Sequence, residues 1–233
     1  WVVFSDLHVS RSSLPTCLAV LARVHAEARA RGAGVVFLGD FWHEKGILRT
    51  EPLNAVLREV RRWGADVPLI AIPGNHDQAT RDGAAHALTP LALVHPRARV
   101  LDRPTILGGA LWLPYRRDPA ELSAAIAQAA AAEGGGGDAS LDPSVVFAHT
   151  DVIGAAANDA FQCGKGLEPG AFPVRAWLGH YHRPHVVGGG GGEEAEGAAT
   201  KKAGGKRKKN STPVVVEYVG SPYQVSRAEA GQQ

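Results

Sequence analysis

The sequence lacks methionine, holds two cysteines and has no long apolar run among its 233 residues. A membrane-spanning helix needs about 20 consecutive apolar residues, so the sequence predicts no membrane span. Cys17 and Cys163 are too few for a disulfide scaffold, and their spacing matches no zinc motif. The chain opens on the apolar run Trp1–Phe4, which predicts a fragment that begins inside a strand, with any targeting peptide lying outside it.

The small positive charge of the chain is concentrated in one segment. The net charge is +2, but residues 188–211 hold six basic and three acidic residues with eight of the 28 glycines. The remaining 19 basic and 20 acidic residues leave the rest of the chain near neutral. Residues 188–211 have no Val, Ile, Leu or aromatic residue to offset the entropy lost on ordering, so we expect a disordered Gly/Lys-rich insertion. Its basic run, 201–209, could contact nucleic acid or act as an import signal, but a solvated insertion without either role is the simpler expectation.

Short apolar runs alternate with segments of helical periodicity. Leucines and alanines recur at helical spacing over residues 14–28, and the spacing over 53–63 is similar. Asp118 and Pro119, with Glu121, are typical of a helix start. The β-α-β-α-β order of the first 75 residues indicates a layered α/β fold, which we expect to form a single domain over residues 1–233. The predicted strands are Val2–Ser5, Val35–Leu38, Leu69–Ile72, Ala110–Leu113, Val145–Ala148, Ala176–Leu178 and Val214–Val219.

Polar residues directly follow five of these strands. In open α/β sheets, ligands bind at the carboxyl ends of the strands, so we expect the five clusters to converge on one site. Six of the ten histidines lie within them, although a single histidine beside a strand is usually structural. The clusters are Ser5–His8, Gly39–His43, Pro73–Asp77, His149–Asp151 and Gly179–His182.

The residue types in these clusters indicate metal binding. Asp, His and Asn form a mixed oxygen and nitrogen ligand set that suits Mn, Fe or Zn and contains no thiolate. Asp6 and His8 stand two residues apart, so both side chains can point the same way from an extended segment, and His180 and His182 repeat this spacing. The donors exceed the needs of one ion and fit two ions about 3.5–4 Å apart that share a carboxylate.

The ordered series D-x-H, GD, GNHD, H and GH-x-H resembles the motifs of the calcineurin-like metallophosphoesterase superfamily, over nearly the whole chain from Asp6 to Gly220. The resemblance implies an α/β fold of the four-layer α/β/β/α sandwich type with mixed sheets. It also implies a dinuclear metal site with Asp40 as the bridging ligand. One metal would be held by Asp6, His8, Asp40 and His182, and the other by Asp40, Asn75, His149 and His180.

The chemistry implied by the resemblance is hydrolysis of a phosphoester substrate with two divalent metal ions, Mn or alternatively Fe or Zn. Two such ions lower the pKa of bound water, and the resulting hydroxide would attack phosphorus in line. The resemblance gives His76 the role of stabilising or protonating the phosphoryl group. It gives Asp77 the role of orienting His76.

Two further stretches resemble the SbcD-type branch of DNA-repair nucleases. The stretch Gly39–His43 reads GDFWH, and His43 matches an extra histidine that helps stabilise the phosphodiester transition state in that branch. Residues 220–224 read GSPYQ, and the longer similarity there is to calcineurin-like phosphoesterases of plants and green algae. These stretches favour a phosphodiesterase with nuclease-like character. Tyr223 is a candidate for stacking on a base, with packing at a strand end as the alternative.

Some features depart from the nuclease branch. Thr150 stands where that branch often has Gln, and the DNA-capping domain and the segment that binds an ATPase partner have no counterpart here. The near-neutral body offers no evident surface for duplex DNA. Nucleic acid or nucleotide partners therefore stay open, and a phosphomonoesterase or nucleotide hydrolase with the same metals is the first alternative.

A non-catalytic scaffold is the second alternative. Scaffolds that derive from metal-site families lose ligands, whereas this sequence keeps every ligand position and His76. That retention favours an enzyme. The low cysteine content fits a soluble intracellular protein, with organelle import left open.

Overall fold

The computed structural model describes residues 1–133, 143–158, 161–187 and 214–225. The expected insertion at 188–211 lies outside these residues. Within them, every helix is too short or too polar to cross a lipid bilayer. The helices are α1 (Leu14–Ala30), α2 (Thr50–Arg61), α3 (Thr89–Val94) and α4 (Pro119–Glu133). The strands are β1 (Val2–Phe4), β2 (Val35–Phe37), β3 (Leu69–Ala71), β4 (Ala98–Val100), β5 (Thr105–Leu107), β6 (Ala110–Leu113), β7 (Val145–His149), β8 (Ala156–Asn158), β9 (Phe161–Gln162), β10 (Ala176–Gly179), β11 (His185–Val187) and β12 (Val216–Tyr218).

The first sheet contains β1, β2, β3 and β4 in that order, and all its pairs are parallel. Val2 pairs with Val35, Val35 with Leu69 and Leu69 with Ala98, so the four strands are in register. Because each strand is connected to the next by a crossover, all four carboxyl ends lie at one edge. Three of these ends carry the polar clusters of the N-terminal part of the chain.

The second sheet is mixed. Its order is β11-β12-β10-β7-β6-β5, with β12, β10, β7 and β6 parallel and the two edge strands antiparallel. The central strands β7 and β10 end at His149 and Gly179, which pair with each other. The remaining strands, β8 and β9, form a small antiparallel ladder.

Alternation along the strands divides the interior into three layers of side chains. On β2, Val35 and Phe37 pack with the α1–α3 face, whereas Val36 and the following Leu38 pack against the second sheet. On β7, Phe147 faces the first sheet. The opposite face of the second sheet packs on α4 through residues such as Leu122, Ile126, Val146 and Ala148. The layers therefore run helix, sheet, sheet, helix, and the mixed α/β fold expected from the sequence is confirmed.

Most local expectations agree with these elements within one or two residues. The start of α4 is as expected, since the Ala120 backbone N–H donates to Asp118 Oδ1 at 3.0 Å. Short elements such as α3, β4, β5 and β11 were not expected from the sequence. Residues of β4 and β5 are only half-buried or exposed, so the apolar signal that marks a buried strand is weak there.

The layer between the two sheets generates a prediction about stability. Ile72 directly follows β3, is 0% exposed and packs in this layer. Ile72→Ala should lower the free energy of unfolding by about 2–5 kcal/mol. The shorter side chain leaves a cavity between the two sheets, and the sheets cannot move together to fill it. Urea denaturation measures this. Leu93→Ala, at a position 83% exposed, is the control and should change stability by no more than about 0.5 kcal/mol. Equal effects of the two substitutions would contradict the layer assignment.

Candidate metal centre

The polar clusters of both sheets meet at one place. Two hydrogen bonds join the sheets there: His149 Nδ1 donates to the Leu38 carbonyl at 2.6 Å, and the His180 backbone N–H donates to Asp6 Oδ2 at 3.1 Å. A carbonyl oxygen only accepts hydrogen bonds, so His149 carries a proton on Nδ1 and directs Nε2 into the space between the sheets.

Four residues at this place have strained backbones. Among non-glycine residues in the described ranges, only Asp6, His8, Asp40 and His180 have a positive φ, with values of 55°, 46°, 60° and 106°. Each such conformation costs on the order of 1–3 kcal/mol and persists only where the surroundings enforce it. All four are candidate ligands from the sequence, so the strain is concentrated where the chain turns these side chains toward one point.

The first group of donors consists of Asp6, His8 and His182. His8 Nε2 lies 3.0 Å from His182 Nε2, and His182 Nε2 lies 3.9 Å from Asp6 Oδ1. Asp6 and His8 are buried. Burial lowers the pKa of His8 to about 3, so its ring is neutral near pH 7 and offers a lone pair. These three side chains are close enough together to hold one metal ion.

The second group consists of Asn75, His149 and His180. His149 Nε2 lies 3.2 Å from Asn75 Oδ1, and His180 Nδ1 lies 3.0 Å from that oxygen and 3.2 Å from His149 Nε2. The other nitrogen of each ring already faces an acceptor: Leu38 O for His149, and Asp151 Oδ1 at 3.1 Å for His180. In the neutral rings, three lone pairs therefore face one another without a donor between them.

A positive charge relieves this contact between acceptors. Burial opposes protonation of His149, but the Asp40 carboxylate raises its pKa to about 9. In the metal-free protein, a proton on His149 therefore lies between the facing acceptors. Two ligands that each lie about 2.1 Å from one ion, at angles of 90–110°, are separated by roughly 3.0–3.4 Å. The separations in the second group match that range. The residues therefore fit a divalent cation.

Asp40 lies between the two groups. Its Oδ2 is 3.7 Å from His8 Nε2, and its Oδ1 is 3.5 Å from His149 Nε2. The His76 backbone N–H donates to Oδ1 at 2.8 Å and fixes the carboxylate. Burial opposes ionisation of Asp40, but the neighbouring histidines outweigh it and hold its pKa below the usual range. This is the placement that a carboxylate shared by two cations requires.

His76 and His43 lie beside the first group. His76 Nδ1 donates to the His43 carbonyl at 2.7 Å, which leaves Nε2 as the free nitrogen of the ring. The His76 ring is 4.7 Å from the His8 ring, and the exposed His43 ring is 5.6 Å from it, centroid to centroid. Ring nitrogens of the three histidines lie within 4.8 Å of one another. Both residues thus stand next to His8 at the edge of the first group.

Asp77 is placed differently from the expectation that it orients His76. Its buried carboxylate accepts hydrogen bonds from four backbone N–H groups, at 2.9–3.1 Å, those of Asp40, Phe41, Trp42 and Gly74. Among the hydrogen bonds of the described residues, none joins Asp77 to the His76 ring, which the His43 carbonyl holds instead. Consecutive side chains point in different directions, so Asp77 turns beneath the loop while His76 turns outward. Its carboxylate holds the backbone of Asp40 in place.

Tyr223 packs inward. Its hydroxyl donates to the Leu7 carbonyl at 2.7 Å and lies 3.4 Å from Cys17 Sγ, and its ring is half-buried against the α1 side of the first sheet. This arrangement favours the packing alternative over base stacking. The same ring also lines a cavity of about 500 Å³ together with His8, His43, Arg11 and Arg49, which we term the histidine-side cavity.

A family model described as calcineurin-like phosphoesterase matches residues 2–124, more than half of the chain. The chain belongs to the calcineurin-like phosphoesterase family. No curated protein matches it. Members of this family are metal-dependent hydrolases that act on phosphoester bonds, and the phosphoesterase described here has the Asp and His clusters that could hold divalent metals.

Two residues of the phosphoesterase near the centre were given no role from the sequence. Asp151 Oδ1 accepts a hydrogen bond from the Tyr181 hydroxyl at 2.7 Å and faces His180 Nε2 at 3.1 Å. A carboxylate in this position fixes the ring orientation and tautomer of a histidine ligand. The Tyr115 ring lies 6.0 Å from the His180 ring and 6.2 Å from the His149 ring. Asp151 could have been suspected because it closely follows β7, whereas Tyr115 has no sequence signal.

The contact between Asp151 and His180 generates a prediction about metal affinity. Asp151→Asn should weaken Mn²⁺ binding by roughly 10–100-fold, because His180 loses the carboxylate that keeps Nδ1 directed into the second group. Isothermal titration calorimetry of the metal-free protein measures this. Asp66→Asn, at an exposed aspartate paired with Arg29, is the matched control and should bind Mn²⁺ like the unaltered protein. Unchanged affinity in Asp151→Asn would show that Asp151 does not position His180.

The positive φ of His8 generates a second prediction. Alanine in a left-handed conformation costs roughly 1–2 kcal/mol, a penalty that glycine does not carry. In the metal-free protein, His8→Gly should therefore be more stable than His8→Ala by about 1 kcal/mol, measured by urea denaturation with a chelator present. The control compares Arg58→Gly with Arg58→Ala on α2. There the alanine variant should be the more stable one, because glycine disfavours a helix. A more stable His8→Ala would mean that the backbone at His8 is not strained.

Proposed function

We propose that this phosphoesterase is a phosphodiesterase with nuclease-like specificity. The observation that carries the proposal is the position of His43, an exposed histidine whose ring stands beside His8 and His76. Beyond the donors of a metal centre, this gives the site two histidines that a phosphoryl group would meet. The GDFWH stretch that supplies His43 resembles the nuclease branch of the superfamily.

The proposed ligands are the two groups described above. Asp6, His8, Asp40 and His182 would hold one ion, and Asp40, Asn75, His149 and His180 the other, with Asp40 shared. When bound, two divalent ions lower the pKa of water and neutralise charge on phosphate oxygens. We propose Mn as the native metal, since imidazole and carboxylate donors without thiolates suit it. Because donors come from both sheets, we treat the two sheets as one catalytic domain.

The chain's own residues then divide the work of the reaction. The His43 carbonyl holds His76 through Nδ1, so His76 presents Nε2 to the phosphoryl group and can donate a proton or hydrogen bond to a phosphate or leaving oxygen. His43 adds a second imidazole that offsets charge as it develops. Asp77 holds the Asp40 backbone in its strained conformation, and this fixes the position of the Asp40 carboxylate.

The cavities around the centre support a diester over a monoester. The histidine-side cavity adjoins His8 and His43. A second cavity of about 510 Å³ adjoins Asn75 and is lined also by Lys45, Arg81, Tyr115 and Arg117; we term it the asparagine-side cavity. Each donor group thus has its own neighbouring cavity. A phosphodiester has two substituents to place, one in each cavity, whereas a monoester has one.

The charge distribution favours small or single-stranded substrates. The chain outside residues 188–211 carries 19 basic and 20 acidic residues. Binding to duplex DNA depends on neutralising several phosphates, which requires an extended basic surface. We therefore infer nucleotides or single-stranded nucleic acid as the substrate class.

His43 provides the test of this function. His43→Ala should reduce hydrolysis of bis-p-nitrophenyl phosphate by roughly 10²-fold with Mn²⁺ present, and should reduce the ratio of diester to monoester hydrolysis. Rates on bis-p-nitrophenyl phosphate and p-nitrophenyl phosphate measure both. The surface variant Arg61→Ala on α2 is the control and should keep both rates.

His76 provides the contrast for that experiment. His76→Ala should reduce hydrolysis of both substrates by about 10²–10⁴-fold while Mn²⁺ binding persists, because neither proposed ligand set includes His76. Hydrolysis of the monoester alone, with no response to His43→Ala, would refute the phosphodiesterase assignment and favour a phosphomonoesterase.

A further inference from the structure

The asparagine-side cavity carries positive charge beside the metal centre. Lys45, Arg81 and Arg117 line it, and among the described residues that line it none is acidic. All three basic side chains are on exposed residues, and no carboxylate in the described ranges forms an ion pair with any of them. Three cations without ion-pair partners, gathered around one concave space, attract an anion.

The histidine-side cavity differs in this respect, although it also contains two arginines. Arg49 Nη2 donates to Glu44 Oε2 at 2.8 Å, and Arg11 Nε lies 3.4 Å from Glu51 Oε2. The positive charge on this side is therefore already compensated within the protein. The two cavities are of similar volume, so charge rather than size distinguishes what each would accept.

The asparagine-side cavity is continuous with the metal centre. Asn75 belongs both to its wall and to the second donor group. Tyr115 forms another part of the wall, and its ring lies 6.0 Å from the ring of His180.

The wall is also held in place from behind. The Tyr115 backbone N–H donates to the Pro73 carbonyl at 3.0 Å, and Gln78 Nε2 donates to the Tyr115 carbonyl at 2.8 Å. The buried Arg116 donates to the Asp102 carbonyl at 2.6 Å. The first two bonds join the loop after β6 to the loop after β3, and the third joins it to the segment between β4 and β5, so the cavity exists before any ligand binds. A preformed cavity binds without the cost of ordering its walls.

We propose that the asparagine-side cavity binds a second phosphate group of the substrate, linked to the phosphate that is cleaved. This rests on the proposed phosphodiesterase function and makes it more specific: the preferred substrate is a nucleotide diester that carries a further phosphate on one side. The scissile phosphate lies at the two donor groups, the second phosphate lies among Lys45, Arg81 and Arg117, and the uncharged substituent lies in the histidine-side cavity.

Dinucleotides that differ by a single phosphate test the proposal. The substrates are thymidylyl-thymidine without a terminal phosphate, with a 5′-phosphate and with a 3′-phosphate, each with Mn²⁺. One of the phosphorylated forms should show kcat/KM about tenfold or more above the unphosphorylated form, because charge-assisted hydrogen bonds favour it. The Arg81→Ala and Arg117→Ala variants should each reduce this ratio several-fold, and the Lys45/Arg81/Arg117 triple alanine variant should bring it close to one. Arg61→Ala on α2 is the matched control and should keep the ratio.

The outcomes separate this proposal from the one on which it rests. Equal kcat/KM for all three dinucleotides, with bis-p-nitrophenyl phosphate also hydrolysed, would overturn the second-phosphate site and leave the phosphodiesterase intact. A phosphate preference that survives in the triple variant would also overturn it. Failure to cleave bis-p-nitrophenyl phosphate and every dinucleotide would overturn the proposed function and this inference together.

Discussion

The hydrogen bond from His149 Nδ1 to the Leu38 carbonyl joins the two sheets where the metal donors meet, and the geometry of the centre depends on it. It sets the tautomer of His149, directs Nε2 toward Asn75 and Asp40, and brings β7 against the end of β2. A side chain has no space at the neighbouring Gly74, where a Cβ atom would meet Asp40 Oδ1 and the Asp40 backbone nitrogen in the same sheet and His149 Cε1 from the second sheet. The glycine of the GNHD motif is therefore required by the close approach of both the Asp40 loop and the His149 ring.

Bringing the donors of both sheets together requires a strained backbone at four of the donor positions. Asp6, His8, Asp40 and His180 hold a positive φ, and the backbone N–H of each donates a hydrogen bond that fixes the chain there, to Gly39 O, Asp40 O, Asp77 Oδ2 and Asp6 Oδ2 respectively. Asp77 contributes most visibly, since one carboxylate receives four backbone N–H groups from the two loops that carry Asp40 and Asn75. A buried carboxylate used in this way joins the two loops through one group. The reactive donors are thereby positioned before a cation arrives.

The sequence predicts that the candidate donors meet at the strand ends, where the structure brings these side chains together, but it does not reveal the residues that support them. Asp6, Asp40, Asn75 and the histidines follow apolar strands, and parallel strands necessarily bring their carboxyl ends to one edge. The partners of Asp77 could not be predicted, because the resemblance implied a contact with His76 and the sequence does not show that the backbone turns the Asp77 carboxylate beneath the loop. A role for Asp151 could be recognised only once the position of His180 was known. The asparagine-side cavity could not be predicted either, because its residues come from three loops with no common sequence spacing. The layered fold could be predicted because apolar strand-like runs alternate with helical segments along the chain. The edge strands β4 and β5 could not, because their half-buried residues give too weak an apolar signal.

His8 and His182 face each other across 174 residues of sequence. A cation held by both would therefore act as a cross-link that encloses most of the chain, with a bond that opens when the ion leaves. Since such an ion binds the folded chain and not the unfolded one, its occupancy adds to the free energy of unfolding. The metal-free form is then the one most exposed to proteases. In a cell, the supply of metal would govern how long the protein survives as well as how fast it works.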